Sequence, residues 1–222
     1  STNAGQAKFR PLKVYYCSKN MIATIYYVSC NLRSIYNAFK YLKAGVVVTD
    51  EPASLVKAEK IVLPGVGSSK DAMRGLAERG LIGALKESIA GGKPFLGICL
   101  GLQLLFEKSQ EGSGTECLGV LKGDVRLFPG SEGLKVPEIG WNTVSLKGGG
   151  CPVFRGIPDE SYFYFVHSYY CVSLDEEISA GKTEYGVRYT SAVWKDNIFA
   201  VQFHPERSQS NGIKLLENFI KI

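Results

Sequence analysis

The chain of 222 residues contains only two histidines, two methionines and two tryptophans. No apolar run approaches the ~20 residues of a membrane-spanning helix, so a membrane partner is not expected. The net charge is only +5, from 26 basic and 21 acidic residues. Because no cluster of Lys and Arg alternates with aromatic residues, nucleic-acid binding is not expected either. The 45% hydrophobic content is typical of a globular protein with a substantial core.

The spacing of the cysteines excludes the common cysteine frameworks. Six cysteines occur at positions 17, 30, 99, 117, 151 and 171, and none forms a C-x-x-C pair. This spacing argues against a structural zinc site, and neither a metal nor a cofactor is expected. In a chain of this length, an even count of cysteines does not by itself indicate a disulfide framework. Reduced thiols, and with them a cytoplasmic protein, are the simpler expectation.

The most informative segment runs from Lys93 to Phe106, where an apolar run ends in Cys99 and a helical pattern follows at once. Cys99 lies between Gly97 and Gly101. Small residues on both sides of a nucleophile let the chain turn sharply from a strand into a helix. Unpaired N–H groups at the start of that helix favour a negatively charged sulfur. A buried cysteine in an ordinary strand-to-helix connection is the alternative, because free cysteine is often a core residue.

A partner for such a nucleophile lies near the C-terminus, where an alternating apolar strand leads to His204-Pro205-Glu206. A thiol nucleophile needs a base, and the base needs a carboxylate that holds its tautomer. Cys99, His204 and Glu206 supply these three roles. His167 is the competing base, but it lies in an aromatic strand, where a hydrogen-bonded structural histidine is the commoner case.

These residues, together with several shorter motifs, resemble the class I (triad) glutamine amidotransferases. Within that family the chain is most similar to the glutaminase subunits of imidazole glycerol phosphate synthase, over about Met21 to Ile222. The glycine-flanked cysteine and the His-Pro-Glu segment are shared across the class and indicate the reaction, whereas the shorter motifs indicate the subfamily. The matching segments are Leu63–Gly67, Gly97–Phe106, Gly140–Asn142, Tyr164–Tyr169, Gln202–Ser208 and Leu215–Phe219.

The resemblance implies that the chain hydrolyses L-glutamine to glutamate and ammonia through a cysteine thioester. Cys99 would attack the side-chain carboxamide, and His204 would protonate the departing ammonia and then activate water. Two of the residues that would bind glutamine have structural alternatives, a solvated helix-end charge for Glu111 and a core aromatic residue for Tyr169. By the same resemblance, the residues that would hold the glutamine are Gln103, Glu111, Ser168 and Tyr169.

The segment Pro64-Gly65-Val66-Gly67 predicts an oxyanion hole. Glycines allow backbone N–H groups to turn toward a developing negative oxygen, so Gly65, Val66 and Gly67 are candidates, together with the N–H of Leu100. A plain turn after a strand is the alternative. A phosphate loop is not expected, because the spacing does not satisfy G-x-x-x-x-G-K-[ST].

Strand and helix signals alternate along the first half of the chain, which predicts an α/β fold with a mostly parallel central sheet and helices on both faces. From 118 to 194 the pattern changes to strands and turns rich in Gly and Pro, which predicts antiparallel additions in the C-terminal half. Ligands in such folds bind beyond the carboxyl ends of the strands, where Gly65 and Cys99 would both emerge. The predicted strands are 23–28, 46–49, 60–63 and 95–98, and the predicted helices are 32–42, 54–58, 71–85 and 213–220.

The first twenty residues differ from the rest of the chain. Residues 1–7 are small and polar, and a strand pattern begins at Met21. We expect an N-terminal extension or a tag-derived segment at 1–20, followed by one glutaminase domain at 21–222.

Ammonia released into bulk water would be protonated and lost, and the resemblance implies a partner that receives it. In the matching family that partner is a (β/α)8 cyclase, so we expect a heterodimer with Gly140–Asn142 at the interface. A core position is the alternative for Trp141. Three positions depart from the family pattern without touching the triad: Cys30 replaces a usual glycine, Glu138 a common histidine and Arg207 a usual lysine.

Three other functions are compatible with the same residues. The glutaminase could serve a different synthase, such as one that aminates a surface-sugar precursor. A free-standing γ-glutamyl cysteine hydrolase would share the same strand-to-helix turn. A catalytically silent regulatory subunit is the third alternative, and the intact triad argues against it.

Overall fold

The computed structural model describes residues 21–27, 32–130, 134–148 and 150–222. The predicted N-terminal segment 1–20 and the departure at Cys30 lie outside the described residues. The strands are β1 (Met21–Ile25), β2 (Gly45–Thr49), β3 (Lys60–Gly65), β4 (Phe95–Cys99), β5 (Lys108–Ser109), β6 (Thr115–Glu116), β7 (Gly123–Leu127), β8 (Glu138–Leu146), β9 (Ser161–His167), β10 (Tyr169–Ser173), β11 (Ser179–Tyr185), β12 (Val187–Lys195) and β13 (Ile198–Val201). The helices are α1 (Leu32–Tyr41), α2 (Pro52–Lys57), α3 (Ser69–Glu78), α4 (Leu81–Ala90), α5 (Leu100–Gln103) and α6 (Gln209–Ile220).

One sheet carries the parallel part of the fold. Its central strands follow the order β2-β1-β3-β4-β13, and each of these neighbours is parallel to the next. Parallel neighbours need a crossover connection, which the helices between the strands supply. In this order β13, which comes last in the chain, lies directly beside β4. The sheet therefore brings the segment before His204 next to the strand that ends in Cys99.

Alternate residues of the central strands enter two different cores, as expected for a parallel sheet with helices on both faces. In β4, Leu96 and Ile98 belong to one apolar cluster, which includes buried residues of α1 and α6. Phe95 belongs to the other cluster, with buried residues of α3 and α4. The predicted α/β class with helices on both faces is confirmed.

The C-terminal half adds antiparallel strands, which confirms the second part of the fold prediction. Strand β12 pairs antiparallel with β13, β10 and β11, and β8 pairs antiparallel with β9 and β11. The β8–β9 pair leaves Ile139, Trp141 and Tyr162 exposed, so Trp141 is not a core residue. No helix in the described part of the chain is long and apolar enough to cross a membrane.

The predicted helix over 71–85 is wrong as a single element. The structure divides this segment into α3 and α4, and Gly80 between them has φ +65°. A left-handed backbone conformation ends a right-handed helix, and glycine adopts it without a steric penalty. The apolar spacing continues across the break because both helices pack on the same core.

Candidate active site

Cys99 lies at a strained turn between β4 and α5. Its backbone has φ +55° and ψ −110°, a positive φ that non-glycine residues rarely adopt. A Cβ added at Gly101 would lie 1.8 Å from the carbonyl oxygen of Leu63, and one at Gly97 would lie 2.8 Å from the Gly101 oxygen. Gly101 therefore lets α5 pack directly on the backbone of β3, and Gly97 leaves room for the turn itself. The sequence pattern predicts the sharp turn without Cβ clashes, and the contact with β3 is an addition from the structure.

His204 and Glu206 follow β13 in a turn where the backbone of His204 is held by hydrogen bonds at both its N–H and its carbonyl. The N–H of His204 donates to the Tyr164 carbonyl at 2.9 Å, and the Ser208 hydroxyl donates to the His204 carbonyl at 2.6 Å. Nδ1 of His204 lies 2.9 Å from Oε1 of Glu206, and both side chains are almost fully buried. Because a carboxylate oxygen accepts, Nδ1 carries a proton and Nε2 is the ring nitrogen left for the thiol.

The Cys99 sulfur raises the pKa of the His204 imidazole. Burial lowers the pKa of His204, but the charge and contact of the Cys99 sulfur, and then Glu206, outweigh it and raise the pKa to about 10. In the part of the chain that is described, Nε2 has no partner at hydrogen-bond geometry. The sulfur therefore acts mainly through its charge across a loose contact, as is common before substrate binds. At neutral pH the imidazole carries a proton that it can donate.

We expect the Cys99→Ala substitution to lower the pH at which His204 titrates. The wild-type imidazole should titrate near pH 10, and removal of the sulfur removes the largest cause that raises this pKa. Because the pKa of His204 is higher in the folded state than the ordinary 6.5, protonation of His204 favours folding. This contribution to stability is complete below pH 6.5 and is lost as pH rises through about 10. NMR titration of the imidazole signals measures the shift, and two histidines make the assignment simple. If His204 titrated at the same pH in wild type and Cys99→Ala, the contact between the Cys99 sulfur and the imidazole would be contradicted.

A cavity of about 300 Å³ opens beside Cys99 and brings most of the predicted site residues together. His204 and Glu206 do not line it, and both side chains are buried. His167, the competing base, also lines the cavity. Pro137, just before β8, and Val166, in β9, complete the wall and are absent from the predicted set. The predicted residues that line the cavity are Val66, Gly67, Cys99, Leu100, Gln103, Glu111, Ser168 and Tyr169.

The predicted oxyanion residues divide into two groups. Val66 and Gly67 follow β3 and line the cavity with Leu100, and Gly67 has φ +89°. Gly65 is buried at the end of β3 and does not line the cavity. A Cβ at Gly65 would lie 2.3 Å from the Tyr27 hydroxyl and 2.7 Å from Cβ of Leu100. Gly65 therefore allows β3 to pack against the turn between β4 and α5. The structure thus gives Gly65 a packing role.

Two of the predicted glutamine-binding side chains already have internal partners. Oε2 of Glu111 accepts from the backbone N–H of Ser69 at 2.5 Å, at the first residue of α3. This bond gives Glu111 a structural role at the start of α3, which differs from the solvated helix-end charge named as its alternative, and Glu111 also lines the cavity. The amide nitrogen of Gln103 donates to the Tyr169 carbonyl at 2.9 Å and to Oε1 of Gln202 at 3.1 Å. Its second amide atom, the oxygen, is the one left for a ligand.

Ser168 and Tyr169 connect β9 to β10 at the cavity edge. The Ser168 carbonyl accepts from the N–H of Phe128 at 3.1 Å, which holds this connection on β7. The Tyr169 side chain is partly buried against the apolar cluster of α3 and α4, as its structural alternative predicts. Both residues still reach the cavity, so packing and ligand contact are compatible here.

His167, the competing base, has both ring nitrogens engaged. Nδ1 lies 2.8 Å from the Tyr169 carbonyl, and Nε2 lies 3.2 Å from both Oε2 of Glu138 and the Tyr189 hydroxyl. The Tyr189 hydroxyl also donates to Glu138 at 2.9 Å. Burial and then the Glu138 charge raise the pKa of Tyr189 well above its ordinary value, so the phenol remains protonated. His167 therefore lines the cavity as part of a polar cluster that engages both of its ring nitrogens, whereas the ring whose pKa the Cys99 sulfur raises is His204.

Gln202 is absent from the predicted site residues, although it lies two residues before His204. Its amide nitrogen lies 3.7 Å from the Cys99 sulfur, and the side chain is fully buried. A polar residue in an otherwise apolar strand is the sequence signal that could have identified it. Within the described residues, no group of three or more His, Cys, Asp or Glu side chains could hold a metal ion.

Comparison with known proteins identifies the family. The family model of class-I glutamine amidotransferase matches residues 18–222. The chain therefore belongs to the class-I glutamine amidotransferases, a family of enzymes.

Two curated relatives are similar over nearly the whole chain. The imidazole glycerol phosphate synthase subunit HisH of Herpetosiphon aurantiacus is 47% identical over 202 residues, which cover 91% of this chain and 94% of the relative. The HisH subunit of Sulfurimonas denitrificans is 49% identical over 204 residues, covering 90% and 98%. The solved structure of PurLQS from Thermotoga maritima, at 21% identity, has a TM-score of 0.69 over 92% of this chain and 99% of that chain, which supports the fold alone.

Proposed function

We propose that this chain is the glutaminase subunit of an imidazole glycerol phosphate synthase, which releases ammonia from L-glutamine for histidine biosynthesis. The observation that carries the proposal is the meeting of Cys99, His204 and Glu206 beside one cavity. Similarity to the HisH subunits over nine tenths of the chain supports the pathway. We assign the activity to one glutaminase domain at 21–222 and place it in the cytoplasm.

The proposed reaction begins at the Cys99 sulfur. The thiolate attacks the side-chain carboxamide carbon of glutamine, and the C–N bond breaks as His204 donates its proton to the departing ammonia. His204, now neutral, takes a proton from water, whose oxygen attacks the thioester carbon. The C–S bond then breaks, so that glutamate leaves and the sulfur is again a thiolate. Glu206 holds the imidazole tautomer and stabilises the imidazolium in both steps.

We assign stabilisation of the tetrahedral oxygen to backbone N–H groups. Val66, Gly67 and Leu100 are the donors proposed, because all three line the cavity beside the sulfur. Each such donor typically lowers the activation free energy by about 3 kcal/mol. Gly65 supports them by letting β3 approach Leu100. The proposed glutamine contacts come from Gln103, Glu111, Ser168 and Tyr169.

The proposed partner is a (β/α)8 cyclase that forms a heterodimer with this chain. The exposed apolar face of Ile139, Trp141 and Tyr162 supports this proposal. It belongs to the β8–β9 pair, and the same pair supplies Val166 to the cavity wall. A subunit seated on this face would therefore lie close to the ammonia that the cavity releases. Arg207, which stands where lysine is usual, lies over the Tyr164 ring at 5.4 Å and extends this face.

Ammonia release from L-glutamine, measured with and without a (β/α)8 cyclase and its ligand, tests the proposal. We expect slow release from the chain alone and a large increase when the cyclase and its ligand are both present. Full activity without a partner would support the free-standing hydrolase instead. Absence of ammonia under every condition would overturn the glutaminase assignment.

We expect Trp141→Ala to weaken the complex with the cyclase, because Trp141 is the largest side chain of the proposed contact face. The matched control is Tyr41→Ala, since Tyr41 is an exposed aromatic residue on α1, outside that face. Calorimetry of complex formation should show at least about a tenfold loss of affinity for Trp141→Ala, as is typical of a buried aromatic anchor. Equal affinities for both variants would place the interface elsewhere.

A further inference from the structure

We propose that Gln202 is a positioning residue for the nucleophile, whose amide N–H holds and stabilises the Cys99 sulfur as an anion through the catalytic cycle. This inference rests on the proposed glutaminase chemistry and extends it to a residue without an assigned role. Gln202 is fully buried, and its backbone N–H donates to the Ser191 carbonyl at 2.8 Å. A buried amide must satisfy its polar atoms inside the protein, so its partners define its role.

The orientation of the Gln202 amide follows from a chain of three contacts. A carbonyl oxygen can only accept, so the Tyr169 carbonyl must receive the N–H of Gln103, at 2.9 Å. The same Gln103 nitrogen donates its second hydrogen to Oε1 of Gln202 at 3.1 Å. The Gln202 oxygen is therefore committed as an acceptor, and the Gln202 nitrogen must face the other way. That nitrogen lies 3.7 Å from the Cys99 sulfur, within range of an N–H···S bond.

The outer end of this chain is fixed by the buried cluster around His167. Nδ1 of His167 lies 2.8 Å from the same Tyr169 carbonyl. Glu138 and Tyr189 hold the opposite ring nitrogen at 3.2 Å. His167, itself held by Glu138 and Tyr189, therefore fixes the Tyr169 carbonyl as an acceptor for Gln103. The amide of Gln202 is preorganised from outside the catalytic triad.

Gln202 differs from His204 in that it cannot lose its proton during the reaction. His204 gives its proton to ammonia and is then neutral while the thioester is hydrolysed. An amide N–H has no such change of state, so its bond to sulfur is available when the C–S bond breaks and negative charge returns to sulfur. Gln202 does not line the cavity but holds Gln103, which does, so its loss should affect the turnover step more than glutamine binding.

The test is the pH dependence of Cys99 alkylation by iodoacetamide, because alkylation follows the fraction of thiolate. In Gln202→Met, which keeps the volume of the side chain but has no donor, we expect the midpoint to rise by about half a pH unit to one unit. At neutral pH the alkylation rate should fall about threefold to tenfold. Peptide mapping identifies Cys99, and burial raises the pKa of Cys117 to about 12 and of Cys151 to about 11, so these thiols react later.

The matched control is Asn197→Ala, which removes another structural amide just before β13. Asn197 donates to the carbonyls of Ile89 at 3.0 Å and Lys93 at 2.7 Å, far along the strand from the sulfur. It should lower stability and leave the alkylation midpoint unchanged. A folded Gln202→Met protein with the wild-type alkylation profile would overturn the proposal.

A second variant applies if Gln202→Met does not fold. Gln103→Met leaves the Gln202 amide in place but removes the bond that orients it, so the midpoint should rise by a smaller amount. Because Gln103 lines the cavity, this variant should also raise KM, whereas Gln202→Met should lower kcat. An unchanged midpoint in Gln103→Met would equally contradict the proposal. Failure of the wild-type protein to release ammonia would overturn the proposed function, while the alkylation result would still decide the role of Gln202.

Discussion

Replacement of Cys99 by alanine is expected to lower ammonia release from glutamine by a factor on the order of 10⁴ to 10⁶, the range typical of a lost nucleophile. The residues that remain cannot form a thioester, and His204 alone cannot replace a covalent intermediate. The assay should use the complex with the cyclase and its ligand, so that the wild-type rate is as high as possible. Folding of the variant is checked by circular dichroism.

The control for this experiment is Cys151→Ala. Cys151 is also buried, but it lies outside the cavity, before a short 3-10 helix at Pro152–Phe154. The two substitutions remove the same chemical group, so any difference in rate reports the position of the thiol. Activity of Cys151→Ala should stay within about twofold of wild type, as for substitutions away from a site. Equal loss in both variants, or ammonia release unaffected in Cys99→Ala, would refute the nucleophile assignment.

The second large effect is expected for Gly101→Ala, where one methyl group should disrupt the turn between β4 and α5. The new Cβ would lie 1.8 Å from the Leu63 carbonyl oxygen, which is backbone of the central sheet and cannot move away as a flexible side chain could. We expect a loss of about 3–5 kcal/mol in the free energy of unfolding, the upper range for single substitutions. Any folded fraction should have lost most of its glutaminase activity, because the turn at Cys99 would have shifted.

Gly83→Ala makes the same chemical change at a glycine with open space around it. Gly83 lies in α4, and a Cβ built there meets nothing within 4 Å. Alanine should stabilise this helix by about 0.5–1 kcal/mol, because glycine loses more backbone entropy. Urea denaturation of the two variants beside wild type measures both effects. Destabilisation of similar size in Gly101→Ala and Gly83→Ala would show that the turn at Cys99 has no special steric requirement.

The parts of the fold and site that depend on local sequence could be predicted well. The strand that ends in Cys99, the glycines around it and the His-Pro-Glu turn are contiguous patterns, and the structure confirms each of these local elements. The break at Gly80 shows where periodicity is insufficient. Two helices that pack on one core keep a common apolar spacing, so only the left-handed backbone at the glycine reveals the boundary.

Residues that act through partners distant in sequence were harder to predict. Gln202 contacts Cys99 across 103 positions and Gln103 across 99. Glu111 bonds Ser69 across 42 positions. Such contacts depend on the order of strands in the sheet and on which way each amide faces. A single sequence contains the polar residue but not the identity of its neighbour.

The sequence by itself determined the chemical groups: a cysteine at a glycine-flanked turn, a histidine two residues before a carboxylate, and the family to which they belong. Only the tertiary structure decided that β13 lies beside β4, that His167 is occupied by Glu138 and Tyr189, and that Gln202 faces the sulfur. The physical reason is range. Steric demands of a turn act on neighbouring residues, whereas charge and hydrogen bonding act between atoms that only the folded sheet brings within a few ångströms.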